Sequence, residues 1–91
     1  MNLDRATHRF LESFPDPVRK EGTRLQREGS VVRISGNHLI IHGRVEDGAW
    51  ACDTELRLLG NEWTGRTPYR GDSGRAAIYA TMLERIARGG D

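Results

Sequence analysis

The stretch SVVRISGNHLIIHGRVEDGAWACDTELRLL, Ser30 to Leu59, decides the fold. It contains two dipeptides of the kind that closes a tight β-hairpin, Gly36-Asn37 and Asp47-Gly48, each set between runs rich in β-branched or aromatic residues. Three antiparallel strands follow, at residues 30–35, 38–46 and 49–59. Two-residue loops would fix the register, placing Ser35 opposite His38 in the first hairpin and His42 opposite Asp53 in the second. One face then collects Val32, Ile34, Leu39, Ile41, Val45, Trp50, Cys52, Leu56 and Leu58, interrupted only by Gly43 and Thr54. The other face carries Arg33, His38, Ile40, His42, Arg44, Asp53, Glu55 and Arg57. Such segregation predicts a sheet that is covered on one side and solvated on the other.

The cover is expected from the C-terminal segment, where Ala76, Tyr79, Ala80, Leu83, Ile86 and Ala87 recur at helical spacing. Asp72 or Ser73 would cap this helix and Gly89-Gly90 would end it. At the other end of the chain, Asn2 can cap a helix running through Leu3, Ala6, Phe10 and Phe14 until Pro15 stops it. Asp16-Pro17 then opens one further helical turn, with Gly22 as its exit. The class is α+β: an N-terminal helix, a three-stranded antiparallel β-meander and a C-terminal helix packed on the sheet.

The chain has 91 residues, enough for a single domain, 1–91, with one core. Its 36% hydrophobic and 30% charged residues are ordinary globular composition. The lone cysteine, Cys52, excludes an internal disulfide and a cysteine-rich zinc site, which favours a reducing compartment. No apolar run resembles a secretory signal or a membrane span, so a cytoplasmic location without membrane attachment is expected. Net charge is +1, far from the strongly basic balance of a dedicated nucleic-acid binder.

Few residues suggest chemistry. His38 and His42, four positions apart on one strand, would be separated by roughly 13 Å and could not share a metal ion. His42 opposite Asp53 could orient an imidazole for acid/base work, and this pair is the whole basis for reading the protein as an enzyme. Cys52 falls on the apolar face as a small core residue. Gly71-Asp72-Ser73-Gly74 matches the string around the nucleophile of chymotrypsin-like proteases, but those need a far longer, two-barrel chain. Here it reads as a helix start. No metal, cofactor or catalytic residue is assigned.

The segment Gly60 to Gly71, between the third strand and the last helix, interleaves Trp63 and Tyr69 with Arg66 and Arg70, and Arg75 follows on the helix. Aromatics among arginines can stack on bases and grip phosphates, and the same residue types dominate protein interface hot spots. Trp63, Arg66, Tyr69, Arg70 and Arg75 are therefore the candidate binding residues, with core packing the competing role for the two aromatics.

The layout of a Gly-rich approach, the strand Gly29-Ser30-Val31-Val32, the strand Leu39 to Val45, a third strand, a loop and a helix resembles the SWIM-type module found beside SWI/SNF-like helicases and some transposases. In that family the loop carries Cys-x-Cys and the helix opens with Cys-x-His. Here Arg75 stands at the cysteine position, Ala77 at the histidine position, and no cysteine lies near Thr64, so all zinc ligands are lacking. The resemblance implies a metal-free relic that binds protein or DNA.

These readings converge on a small non-enzymatic binding module that recognises a protein or a nucleoprotein complex. Its size suits an adaptor, or an inhibitor encoded by a phage or mobile element. The alternatives are direct nucleic-acid binding through the same loop, which predicts affinity falling steeply with salt, and a small enzyme using His42 and Asp53. Ile40 and Val31 on the polar face leave the oligomeric state open.

Overall fold

A computed structural model describes residues 4–89. In chain order it contains helices α1 (Arg5–Glu12) and α2 (Asp16–Arg27), strands β1 (Val31–Gly36), β2 (Ile40–Asp47), β3 (Trp50–Leu59) and β4 (Glu62–Arg66), and helix α3 (Asp72–Ala87). The α+β class and the antiparallel meander agree with the sequence reading, and the sheet gains a fourth strand in the order β1-β2-β3-β4. Among the described residues no helix is long and apolar enough to cross a membrane.

Both hairpins close later in the chain than the dipeptides suggest. Asn37 stays at the base of the first turn, where its side-chain oxygen accepts from the backbone N–H groups of Leu39 (2.8 Å) and Ile40 (3.0 Å). This Asx geometry moves the loop onto His38-Leu39, so Ser35 pairs with His42 rather than with His38. In the second hairpin the left-handed backbone of Gly48 (φ 48°) puts Gly48-Ala49 in the loop, and Asp47 pairs with Trp50. His42 therefore faces Glu55, and Asp53 faces Arg44. Both displacements are even in number, and side chains alternate with period two, so Ile41, Val45, Cys52 and Leu56 keep their inward orientation.

A break in register between Val31 and Arg33 changes the inward residue of β1. Val31, expected on the polar face, is buried, whereas Val32 is 50% exposed. Leu39, drawn into the displaced turn, is also exposed. The strand β4 occupies part of what reads as a loop. It pairs with β3 from Leu59↔Glu62 to Glu55↔Arg66, joined through Gly60-Asn61.

The helices also depart from expectation. Asp4 caps α1 by accepting from the Thr7 N–H at 2.8 Å; the proposed Asn2 cap lies outside the described residues. Pro15 rather than Asp16 is the N-cap of α2, and that helix runs through Gly22 to Arg27. Gly22 is a contact point instead of an exit, because a Cβ built there would lie 2.6 Å from Cδ1 of Tyr79. The N-cap of α3 is Gly71, without a side-chain hydrogen bond from Asp72 or Ser73. Gly89, with φ 98°, terminates α3 as expected, and its partner Gly90 lies outside the described residues.

All three helices lie on the apolar face of the sheet. Val18 and Leu25 of α2 share a cluster with Val31, Val45, Cys52 and the alanines Ala76, Ala77 and Ala80 of α3. Leu11 of α1 packs with Ile41, Leu56, Ile78 and Met82. Helix α3 is thus enclosed by the sheet and α2, burying Ala77, Ile78, Thr81 and Met82 beyond the expected stripe, while Ala87 is exposed. Two strand glycines admit it: a Cβ on Gly43 would meet Thr81 Cγ2 at 2.6 Å, and one on Gly65 would meet Ile78 Cγ2 at 2.5 Å. Below Gly43, the Thr81 hydroxyl donates to the Ala77 carbonyl (2.8 Å) and lies 2.7 Å from the Thr54 hydroxyl.

Candidate functional site

The segment from Thr67 to Gly71, which links β4 to α3, is fixed at several points. The Thr67 hydroxyl donates to the Asp53 carbonyl of β3 at 2.6 Å, beyond the last β3–β4 pair. Tyr69 stacks on Trp50, with ring centroids 4.8 Å apart and an interplanar angle of 19°. Gly71 turns the chain into α3 with φ 82°, and Gly74 leaves room for the Tyr69 carbonyl, which a side chain at that position would strike. The loop is thus held by the sheet on one side and the helix on the other.

The five candidate residues are placed differently from one another. Trp63 turns inward on β4, where its Nε1–H donates to the Thr7 hydroxyl of α1 at 3.2 Å and its ring joins the core. Arg75 is exposed on the first turn of α3 and pairs with Asp72. Tyr69 is 37% exposed while resting on Trp50. Arg66 is largely exposed at the end of β4, with Nη2 3.1 Å from Glu55. Arg70 is exposed and has no ion-pair partner among the described residues. Arg66, Tyr69 and Arg70 therefore bracket one fixed loop, and Trp63 and Arg75 lie on the elements that hold its ends.

The solvent face of the sheet is a lattice of paired charges. Arg44 contacts Asp53 at 3.2 Å and Glu46 at 3.3 Å. Glu55 receives Arg57 at 2.7 Å as well as Arg66, and His42 Nδ1 lies 3.9 Å from its other oxygen. The hydrogen bond from Arg57 holds the Glu55 carboxyl below the usual carboxylate range, and the charge of Arg66 adds to this. The expected His42–Asp53 pair is not formed, because the register moves Asp53 to Arg44. A cleft of about 370 Å³ lies over this face, lined by His42, Asp53, Glu55, Arg66, Thr67 and Pro68 among others. Cys52 is buried, and burial pushes its thiol pKa up, so the sulfur is held as an unreactive thiol. Among the described residues no group of three or more His, Cys, Asp or Glu side chains could hold a metal ion.

The supporting contacts of the loop are not visible in local sequence. Trp50 reads as one more inward residue of an alternating strand, and nothing in the order of residues shows that Tyr69 will stack on it. Asn61 and Gly60, by contrast, form a hairpin dipeptide that announces β4.

No protein-family model, curated protein or solved structure matches the chain.

Proposed function

We propose that the protein is a non-enzymatic binding module whose recognition surface is the loop carrying Arg66, Tyr69 and Arg70, and whose partner is a protein or a protein component of a nucleoprotein complex. The observation that carries this reading is the exposed, buttressed aromatic. Tyr69 is stacked on Trp50 and flanked by two exposed arginines, in a backbone anchored to β3 by the Thr67 hydroxyl and turned into α3 at Gly71. Tyrosine and arginine are the residue types enriched at interface hot spots, and a loop already fixed in place loses little conformational entropy on binding. Trp63 and Arg75 act as positioning residues at the loop's two ends.

The charge pattern supports a protein partner over a phosphate backbone. On the sheet face beside the loop, Arg44, Arg57 and Arg66 already have carboxylate neighbours in Glu46, Asp53 and Glu55. Phosphate would have to displace those carboxylates, whereas a mixed-charge protein surface can match them.

The test is affinity capture from host lysate with the intact chain and with Arg66→Ala/Arg70→Ala, each with and without nuclease. A discrete protein that survives nuclease and is lost in the variant is the expected outcome. Equal capture by the variant removes the loop as the surface, and recovery only of nuclease-sensitive nucleic acid replaces the protein partner by a nucleic acid.

A further inference from the structure

The two edges of the sheet are finished differently. At β4, helix α1 packs against the strand through the bond from Trp63 to Thr7, and Arg66 at the strand's end is paired with Glu55. Strand β1 pairs with β2 alone. In an antiparallel ladder each residue directs both backbone groups either at its partner or away from it, in alternation. The Asn37 N–H donates to the Ile40 carbonyl at 2.8 Å, which turns Ser35 and Arg33 toward β2 as well. The N–H and C=O groups of Ile34 and Gly36 therefore point out of the sheet, and among the described residues nothing bonds to them.

The charge on this edge is also unmatched. Arg33 lies directly opposite Arg44 on the solvent face, and like charges so placed destabilise a sheet. Arg44 is held by Glu46 and Asp53, and Arg57 and Arg66 by Glu55. Arg33 is thus the one arginine of that face without a carboxylate partner among the described residues. Beyond the other end of β1, Arg85 of α3 reaches the Asn37 carbonyl at 3.4 Å and likewise has no carboxylate among the described residues. Between these charges the strand offers apolar surface: Val32 is half exposed at the break in register, and Ile34 is half-buried at the margin of the core.

We infer that β1 receives an extended acidic segment of a partner protein, which continues the sheet with a carboxylate opposite Arg33 and an apolar side chain opposite Ile34. The alternation follows from the backbone. Because Arg33 is turned to β2, it and the incoming residue form a pair without mutual hydrogen bonds, in which Cα atoms stand about 4.5 Å apart and opposed side chains approach most closely. The next residue of the segment exchanges hydrogen bonds with Ile34 and points to the helical side, where an apolar group closes the margin of the core. Two copies of this chain joined through β1 do not meet the need, since VVRISG contains no acidic residue to set against Arg33. The edge is two strands away from β4 and the loop of Arg66, Tyr69 and Arg70, and its test does not depend on that loop.

Amide shift mapping and hydrogen exchange on the full chain test the edge, with an acetylated peptide of about eight alternating valine and glutamate residues as probe. Without peptide, the amides of Ile34 and Gly36 should exchange fast beside the slow amides of Arg33 and Ser35. Millimolar peptide should shift β1 saturably and protect Ile34 and Gly36. N-methylation of the valines, which removes the N–H groups aimed at β1, should abolish binding, whereas N-methylation of the glutamates should not. A peptide with lysine in place of glutamate should not bind. Arg33→Glu should weaken binding about tenfold, and Lys20→Ala, which removes a charge from an exposed position of α2, should leave it unchanged. No shift of β1 at millimolar peptide overturns the inference, as does equal binding of the lysine peptide or of the peptide N-methylated at valine. Protection of Ile34 and Gly36 that grows with protein concentration alone assigns the edge to a second copy and also overturns it. Should Arg33→Glu fail to fold by circular dichroism, the peptide series on the native chain decides.

Discussion

The paired hydroxyls of Thr54 and Thr81 allow a double-mutant cycle whose outcome follows from where one proton goes. Both side chains are buried, Thr81 completely. The Thr81 hydroxyl donates to the Ala77 carbonyl, so it can only accept from Thr54. Thr81→Val conserves shape but removes that acceptor, and the Thr54 hydroxyl has no other hydrogen-bond partner among the described residues, so its donor is orphaned. The cost should be about 1–3 kcal/mol. Thr54→Val removes only a donor to Thr81, whose own proton stays on Ala77, and should cost about 0.5–1.5 kcal/mol. Replacing both removes donor and acceptor together, so Thr54→Val/Thr81→Val should be more stable than Thr81→Val alone. Against a total stability of about 5–15 kcal/mol these differences are readily measured, each kcal/mol shifting the melting temperature by about 4–8 °C. Urea unfolding followed by tryptophan fluorescence gives all four corners of the cycle. If the double variant is as unstable as the sum of the singles, the two hydroxyls do not depend on each other and the hydrogen-bond assignment is wrong.

Further outcomes follow from packing and charge. Ile41, 1% exposed at the centre of the sheet, should cost about 2–5 kcal/mol when changed to alanine, and an unchanged melting temperature would mean that it does not face the core. Gly22→Ala should lower the melting temperature even though alanine is the better helix former by about 1 kcal/mol, because its Cβ would overlap Tyr79; a rise would show that α2 and α3 can separate freely. Glu55, Glu21 and Glu84 each have a carboxyl held below the ordinary value of 4.5, the first two chiefly by hydrogen bonds from Arg57 and Arg24. In Glu84, burial acts the other way but is outweighed by hydrogen bonds from Arg88 and Gln26. A depressed folded-state pKa gives stability that is present above the unfolded value and lost as pH falls through the folded one. Melting temperature should therefore decline below pH 4.5, and Glu55→Gln should reduce the slope of that decline; an identical acid profile in the variant would exclude Glu55 as a contributor.

The sequence carries the class, the meander and most of the inward residues because these depend on periodicity, and periodicity survives an even displacement of register. What it concealed turns repeatedly on glycine and asparagine. Gly22, Gly43 and Gly65 look like punctuation or weak spots, yet each marks where α3 approaches: Tyr79, Thr81 and Ile78 fill the space that their missing side chains leave. Gly65 weakens the alternation of β4 for this reason, since its inward position adds no apolar residue after Trp63, and the Gly60-Asn61 turn is left as the strand's one local signal. Asn37 reads as half of a hairpin dipeptide, but its side chain holds the two N–H groups that follow and moves the turn along the chain.

The candidate loop was legible in composition but not in construction, and the difference bears on what its residues can do. Interleaved aromatics and arginines mark residues 63 to 75 without distinguishing a tryptophan that binds α1 from a tyrosine that faces solvent. That distinction arises from β4, which has Trp63 inward, and from the end of its pairing at Arg66, after which Thr67 and Tyr69 attach the chain to β3 by other means. Trp63→Phe separates the two roles. The indole is trimmed to a phenyl ring and its 3.2 Å bond to Thr7 is lost, so stability should fall by about 1–3 kcal/mol while partner affinity changes less than it does in Tyr69→Ala. Tyr69→Ala should do the reverse at the surface, removing affinity with a smaller change in unfolding. Loss of binding in Trp63→Phe with Tyr69→Ala fully active would reverse the assignment and place the recognition surface on the α1 side of β4.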